Sequence, residues 1–309
     1  MSSRSAMTTS PEAEPSRPIS GLALLDKPAG WTSHQVVGRI RRLAGTRKVG
    51  HAGTLDPMAT GLLIIGVEKA TRLLGYLALS DKAYEATIRL GISTITDDAE
   101  GEVVTTVGAV GLDEAEIEAA MAELRGDILQ VPAAVSAIKI NGVRSYRRVR
   151  AGQPVELSER PVTIRKFDLL NRRELEVDGV GCVDLSAVVE CSSGTYIRAL
   201  ARDLGAALGV GGHLTTLRRT RVGAFTLDEA QTLEEAEGGL RIMPLNRVVL
   251  SSFPTLTVNE TQASQIRNGR RLAGVILSDG TTALLDAADQ FLALYRQEGS
   301  DAVAEAVFI

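Results

Sequence analysis

Only two cysteines, Cys182 and Cys191, occur in 309 residues. That is too few for a disulfide framework and, with no secretion signal, it points to reduced thiols. No apolar run approaches the roughly 20 residues that a membrane-spanning helix needs, so no membrane association is expected. The N-terminus lacks an apolar h-region, which excludes a signal peptide. Residues 1–19, rich in Ser, Pro and Glu, read instead as a disordered leader, with Met7 as an alternative start. Histidine is scarce too. His34, His51 and His213 show no metal-ligand spacing, and neither CxxC nor HExxH is present, so no metal is expected. Together these absences describe a cytoplasmic protein.

What is present suits a large domain with a sizeable core plus a smaller one: 44% hydrophobic and 23% charged residues. The formal net charge of −4 argues against nucleic acid, but its distribution argues for it. Arg39, Arg41, Arg42, Arg47 and Lys48 crowd one stretch; Lys139, Arg144, Arg147, Arg148 and Arg150 crowd another. Arg218, Arg219 and Arg221 form a third group, and Arg267, Arg270 and Arg271 a fourth. Acidic residues gather elsewhere, in 113–127 and 228–237. Such segregation gives a phosphate-binding face within an acidic total.

Residues 19–25 read as a strand ended by the Pro28-Ala29-Gly30 turn, and Ser33 as the N-cap of a helix carrying Val36, Val37, Ile40 and Leu43 on its apolar side. That spacing turns Arg39 and Arg42 to solvent. A buried strand over 62–67 and a helix over 69–79 follow. Tyr84, Ala86, Ile88 and Leu90 then alternate on one face of a strand, which aims Tyr84 at an interior or a cleft. An acidic loop with Asp97 and Asp98, a helix over 112–124, an Asn141-Gly142 hairpin cue and strands over 161–170 and 183–190 come next. At Cys191-Ser192-Ser193-Gly194-Thr195 the period changes to helical, placing Tyr196 and Arg198 in a first turn, and Gly209–Gly212 reads as that helix's stop. A short helix over 233–242 follows. Beyond 250, short strands around one small helix (261–268) fit a small β-barrel appended to an α+β domain.

Between the basic helix and the 62–67 strand lies Val49-Gly50-His51-Ala52-Gly53-Thr54-Leu55-Asp56-Pro57-Met58-Ala59-Thr60-Gly61. It is too polar and glycine-broken for a helix. A loop of this kind, fixed by a rigid strand, is where catalytic side chains tend to sit.

His51-Ala52-Gly53-Thr54-Leu55-Asp56-Pro57, with Ala59-Thr60-Gly61 and Ala70-Thr71-Arg72, closely resembles the catalytic segment of the TruB-type pseudouridine synthases, which act on position 55 in the T loop of tRNA. Further segments agree in order: Asp26-Lys27-Pro28-Ala29-Gly30; Asp81-Lys82-Ala83-Tyr84; Val131-Pro132 with Ser136-Ala137-Ile138-Lys139 and Tyr146; and Gly194-Thr195-Tyr196-Ile197-Arg198 with His213-Leu214 and Leu217-Arg218-Arg219-Thr220. The resemblance covers roughly residues 20–230. Ile266-Arg267-Asn268-Gly269-Arg270 resembles, less sharply, the PUA RNA-binding barrel.

The resemblance implies a pseudouridine synthase fold: α+β, a central mixed, mainly antiparallel sheet flanked by helices, with the catalytic domain at 20–249 and a PUA-like barrel at 250–309. It implies a cofactor-free isomerisation of uridine 55 in tRNA, and nothing in the sequence requires more than a monomer. Asp56 becomes the catalytic carboxylate, Arg198 its counter-charge and Asp98 the residue holding Arg198 from the other side. Tyr84 and Tyr196 pack around the flipped base, and His51 fills the space it leaves. Arg39, Arg42, Lys139, Arg218 and Arg219 are expected to contact RNA, whereas Lys27 reads as structural or a phosphate contact. Ile95 departs from the family, standing where many relatives have an acidic residue. Whether Asp56 attacks C6, attacks C1′ or takes a sugar proton stays open. A non-catalytic tRNA-binding protein, an aspartyl hydrolase and a ribosomal-RNA synthase are the competing functions.

Overall fold

The computed structural model describes residues 19–133 and 158–309, together with the backbone of two paired strands, Lys139–Ile140 and Val143–Arg144, that flank Asn141-Gly142. The expected leader, the side chain of Lys139 and most of its basic stretch lie outside the described residues.

A ten-stranded sheet organises the chain. Its strands are β1 (Gly21–Lys27), β2 (Val49–Ala52), β3 (Thr60–Val67), β4 (Lys82–Leu90), β7 (Gly126–Gln130), β10 (Arg160–Val177), β11 (Val180–Cys191), β12 (Gly212–Val222), β13 (Phe225–Thr226) and β14 (Met243–Pro244). The main path runs β14-β1-β3-β12-β4-β11-β10-β7, with β2 paired to β3 and β13 to β12. Pairing is antiparallel except between β3 and β12. The sheet is therefore mixed and mainly antiparallel. Separately, β5 (Ile92–Thr94) and β6 (Val103–Thr106) form a small hairpin.

β3 reads as an unbroken apolar run because both its faces are covered. Leu63, Ile65 and Val67 join one core with Val36, Val37 and Ile40 of helix α1 (Ser33–Leu43); Leu62 and Ile64 join a second with Val248, Leu294 and Phe308. Each fully buried aliphatic side chain there contributes about 1.5–3 kcal/mol. The second core joins the main sheet to a C-terminal sheet, ordered β15 (Thr255–Thr257), β17 (Thr281–Leu285), β18 (Phe291–Glu298), β19 (Asp301–Val307), β16 (Leu272–Ala273).

Several local expectations are corrected. Thr32, not Ser33, caps α1: its hydroxyl accepts from Gln35 N and its own N–H donates to Gln35 Oε1. Ser33 is thereby freed to bond Leu55, as described below. The 69–79 segment is a 3-10 turn (Glu68–Leu73) followed by a one-turn helix (Leu74–Ala78). Helix Leu245–Ser252 went unforeseen.

The largest miss is β12. Arg218, Arg219 and Arg221, read as a basic cluster, lie in this central strand and alternate between its faces. Its parallel contact with β3 requires Gly61, which sits at φ +96° against the Arg219 backbone. A Cβ at Gly61 would lie 2.3 Å from Arg219 O. Gly61→Ala should therefore destabilise the fold by at least about 1–3 kcal/mol in urea unfolding; a variant as stable as wild type would contradict this contact.

Candidate active site

The loop joining β2 to β3 carries Asp56 and is fastened at several points. Leu55 N donates to Ser33 Oγ at 3.0 Å, and Ser33 Oγ in turn donates to Leu55 O at 3.1 Å. The Lys27 ammonium, fully buried at the end of β1, donates to Trp31 O (2.6 Å), Pro28 O (2.9 Å) and Pro57 O (3.2 Å). Gly30 N donates to Pro57 O as well. Burial lowers the Lys27 pKa to about 8, with Asp56 and Glu100 opposing that shift. Lys27 thus braces the Asp56–Pro57 step from within the protein, the structural alternative of its expectation.

Arg219 closes the loop from below. Its Nε donates to Leu62 O at 2.8 Å and its Nη2 to Gly53 O at 3.0 Å, and only 1% of the residue is exposed. Expected to contact RNA, Arg219 lies inside the protein beneath the Asp56 loop. In the β4–β12 register it stands opposite Tyr84, so both side chains share a face, while Arg218 opposite Glu85 takes the other. Arg218 makes a two-point pair with Asp26, at 3.1 and 2.6 Å.

Arg198 enters from the first turn of helix Ile197–Ala207 and is 6% exposed. Its Nε lies 3.0 Å from Asp56 Oδ2. Its Nη1 reaches Asp98 Oδ2 at 3.2 Å and Thr96 O at 2.9 Å. Asp98, 3% exposed, also accepts from Thr96 Oγ1 (2.6 Å) and Glu100 N (3.1 Å). One planar guanidinium therefore spans two carboxylates, a geometry that an ammonium does not reproduce. Ile95, the departure from the family pattern, is half exposed and stands outside these contacts.

Asp56, Tyr84, Tyr196, Arg198, Leu217 and Arg219 line a cavity of about 290 Å³. Burial raises the Asp56 pKa above its ordinary value; Arg198 is the first opposing influence, Asp98 adds to the rise and Lys27 opposes it. Burial likewise raises the Tyr84 pKa, and the Arg219 guanidinium is the first influence opposing that rise. The site is a desolvated carboxylate facing a pocket with aromatic walls, with a fixed cation at its side. It suits nucleophilic or proton-transfer chemistry on a flat polar ring.

Other expected residues lie apart from this cavity. His51, on β2, is half-buried and packs edge-on to His34, with centroids 5.5 Å apart. Burial, then His34 and Arg219, lowers its pKa, which favours the neutral ring. Arg39 is ion-paired with Glu237, and Arg42 is exposed. Lys82 was not foreseen. It lines the cavity, donates to Ser80 O and Ala78 O, and is lowered to about 8 by burial. The alternation that placed Tyr84 would have found it, since Lys82 lies two residues earlier on the same face.

The TruB family pseudouridylate synthase N-terminal domain matches residues 41–197. The tRNA pseudouridylate synthase B C-terminal domain matches 198–249, and the tRNA pseudouridine synthase II C-terminal domain matches 253–309. The chain is 57% identical to tRNA pseudouridine synthase B of Nocardia farcinica over 92% of each chain. It is 56% identical to that of Mycobacteroides abscessus over 91% of this chain and 93% of the relative. A chain in the crystal structure of a Cbf5-Nop10-Gar1 complex superposes with a TM-score of 0.68 at 28% identity, covering 94% of this chain and 85% of that one. Family, fold and site geometry converge: the chain belongs to the TruB family of pseudouridine synthases.

Proposed function

We propose that the protein isomerises uridine 55 in the T loop of tRNA to pseudouridine, with Asp56 as the catalytic group. The observation that carries this is the Asp56–Arg198 pair at 3.0 Å in a cavity walled by Tyr84 and Tyr196. The relatives named tRNA pseudouridine synthase B support tRNA as the substrate. The target uridine leaves the folded RNA and enters the cavity, at an unstacking cost of about a few kcal/mol. The C1′–N1 bond breaks, the uracil turns, and a C1′–C5 bond forms; N1 gains a proton and C5 loses one. Attack at C6, attack at C1′ and removal of a sugar proton all require an ionised Asp56, and Arg198 favours that form. Tyr84 stacks on the base with its phenol beside the departing C5 proton. Outside the cavity, neutral His51 occupies the space left in the T loop. Arg39, Arg42, Lys139 and Arg218 contact backbone phosphates.

No described helix is long and apolar enough to cross a membrane. The relatives' tRNA substrate supports a cytoplasmic enzyme, and we take it to act as a monomer. Incubation with unmodified tRNA and base-resolution mapping tests the assignment. Pseudouridine should appear at position 55 alone, and a U55C transcript should stay unmodified. Modification at another position, or of ribosomal RNA in preference, would overturn the substrate assignment.

A further inference from the structure

Helix Ile197–Ala207 brings Arg198 to Asp56, yet its N-cap, Tyr196, makes no side-chain capping bond. A neighbouring strand end meets the backbone of that first turn. Gln130, the last residue of β7, is 1% exposed and directs both ends of its amide at Tyr196. Gln130 Nε2 donates to Tyr196 O at 3.1 Å, and Gln130 Oε1 accepts from Tyr196 N at 2.8 Å. The side chain thus pairs with one backbone residue as a neighbouring strand would. One helical turn further on, Arg202 Nη2 donates to Val131 O at 2.8 Å while Nη1 meets Asp97 Oδ2 at 3.2 Å. Consecutive residues of the β7 end hold two points on the helix, and the consecutive carboxylates Asp97 and Asp98 hold Arg202 and Arg198. Gln130 is itself fixed by its register pair with Arg160 of β10.

We propose that Gln130 is a positioning residue for the isomerisation: its amide fixes the Tyr196 backbone and, through it, the placement of Arg198 against Asp56. This rests on the assignment of Asp56 and Arg198 as the working pair. A displacement of about 1 Å at a reacting group lowers rates about 100-fold, and a two-point clamp two residues from Arg198 acts on that scale.

Gln130→Glu discriminates positioning from simple packing. A protonated carboxyl donates to Tyr196 O and accepts from Tyr196 N, as the amide does; an ionised one only accepts. Burial raises the pKa of such a carboxyl, although Arg160, its register partner, Arg198 and Arg202 oppose the shift, and Asp97, Asp98 and Asp56 add to it. The experiment measures single-turnover rates at saturating unmodified tRNA from mildly acidic to neutral pH, with tRNA affinity and melting temperature in parallel. The proteins are wild type, Q130E, Q130A and D56N. The Q130E rate, as a fraction of wild type at the same pH, should climb as pH falls, with tRNA affinity unchanged. Q130A should be about 10- to 100-fold slower at every pH. A pH-independent Q130E fraction, or a Q130A rate equal to wild type, would overturn the role; if Q130A does not fold, the Q130E profile decides alone. An active D56N would instead overturn the underlying assignment, whatever Gln130 does.

Discussion

Asp56→Asn should lower the single-turnover rate of pseudouridine formation by at least about 10⁴-fold, because the reaction loses its one charged reacting group. Binding of tRNA should be nearly unchanged, since the amide fills the same space and the RNA-facing surface is untouched. The variant should also be no less stable than wild type at neutral pH, and the sign follows from the shift in Asp56. Burial holds its folded pKa above the unfolded value even with Arg198 beside it. An acid shifted this way favours folding most when protonated, and the charged carboxylate costs stability once pH exceeds both values. A neutral isostere escapes that cost, while Arg198 keeps Asp98 and Thr96 O as partners. Rate, affinity and melting temperature measured on one preparation test all three statements. Function and stability pull apart here, as they do where a site needs a charge that the fold would rather not bury.

Arg198→Gln is expected to act on both at once. Removing one member of a buried charge network costs about 3–5 kcal/mol, because the remaining charge loses its compensation. Among the described residues, Asp98 then keeps only Thr96 Oγ1 and Glu100 N as partners of its carboxylate. The rate should fall about 10²- to 10³-fold, the range seen when a fixed electrostatic partner is lost. Arg198→Lys should retain more stability than Arg198→Gln without restoring the rate. An ammonium carries the charge but does not hold Asp56 at 3.0 Å and Asp98 at 3.2 Å together in one plane. Urea titrations and single-turnover assays separate the two effects. A lysine variant at wild-type rate would show that charge alone suffices.

The sequence made the site legible where chemistry is local. A loop with Asp56 ahead of a doubly buried strand, a strand with Tyr84 on its inward face and a change of period at Tyr196–Arg198 each leave a pattern in consecutive residues. How those pieces meet was not legible without the resemblance, because no local signal says that β3 and β12 run side by side. The misreading of 218–221 has the same origin. Arg218, Arg219 and Arg221 look like a solvated basic run when counted by charge. In a central strand neighbouring residues face opposite ways, and Arg219 becomes the buried clamp on the Asp56 loop. Gln130 left no signal at all: an amide at a strand end gains its meaning only from a helix 66 residues away. Thr32 and Ser33 show a smaller version of this. Either residue type caps a helix, and only the fold shows that Ser33 is engaged with Leu55.

The proposed function requires that Arg198 hold a desolvated Asp56 in its charged, reactive form. The acid limb of the single-turnover pH–rate profile reads that requirement directly in wild type and Arg198→Gln, within the pH range where circular dichroism shows both folded. Arg198 is the largest influence that lowers the Asp56 pKa, so its removal should move the acid limb to higher pH in addition to lowering the plateau. An acid limb at the same pH in both proteins would contradict the account.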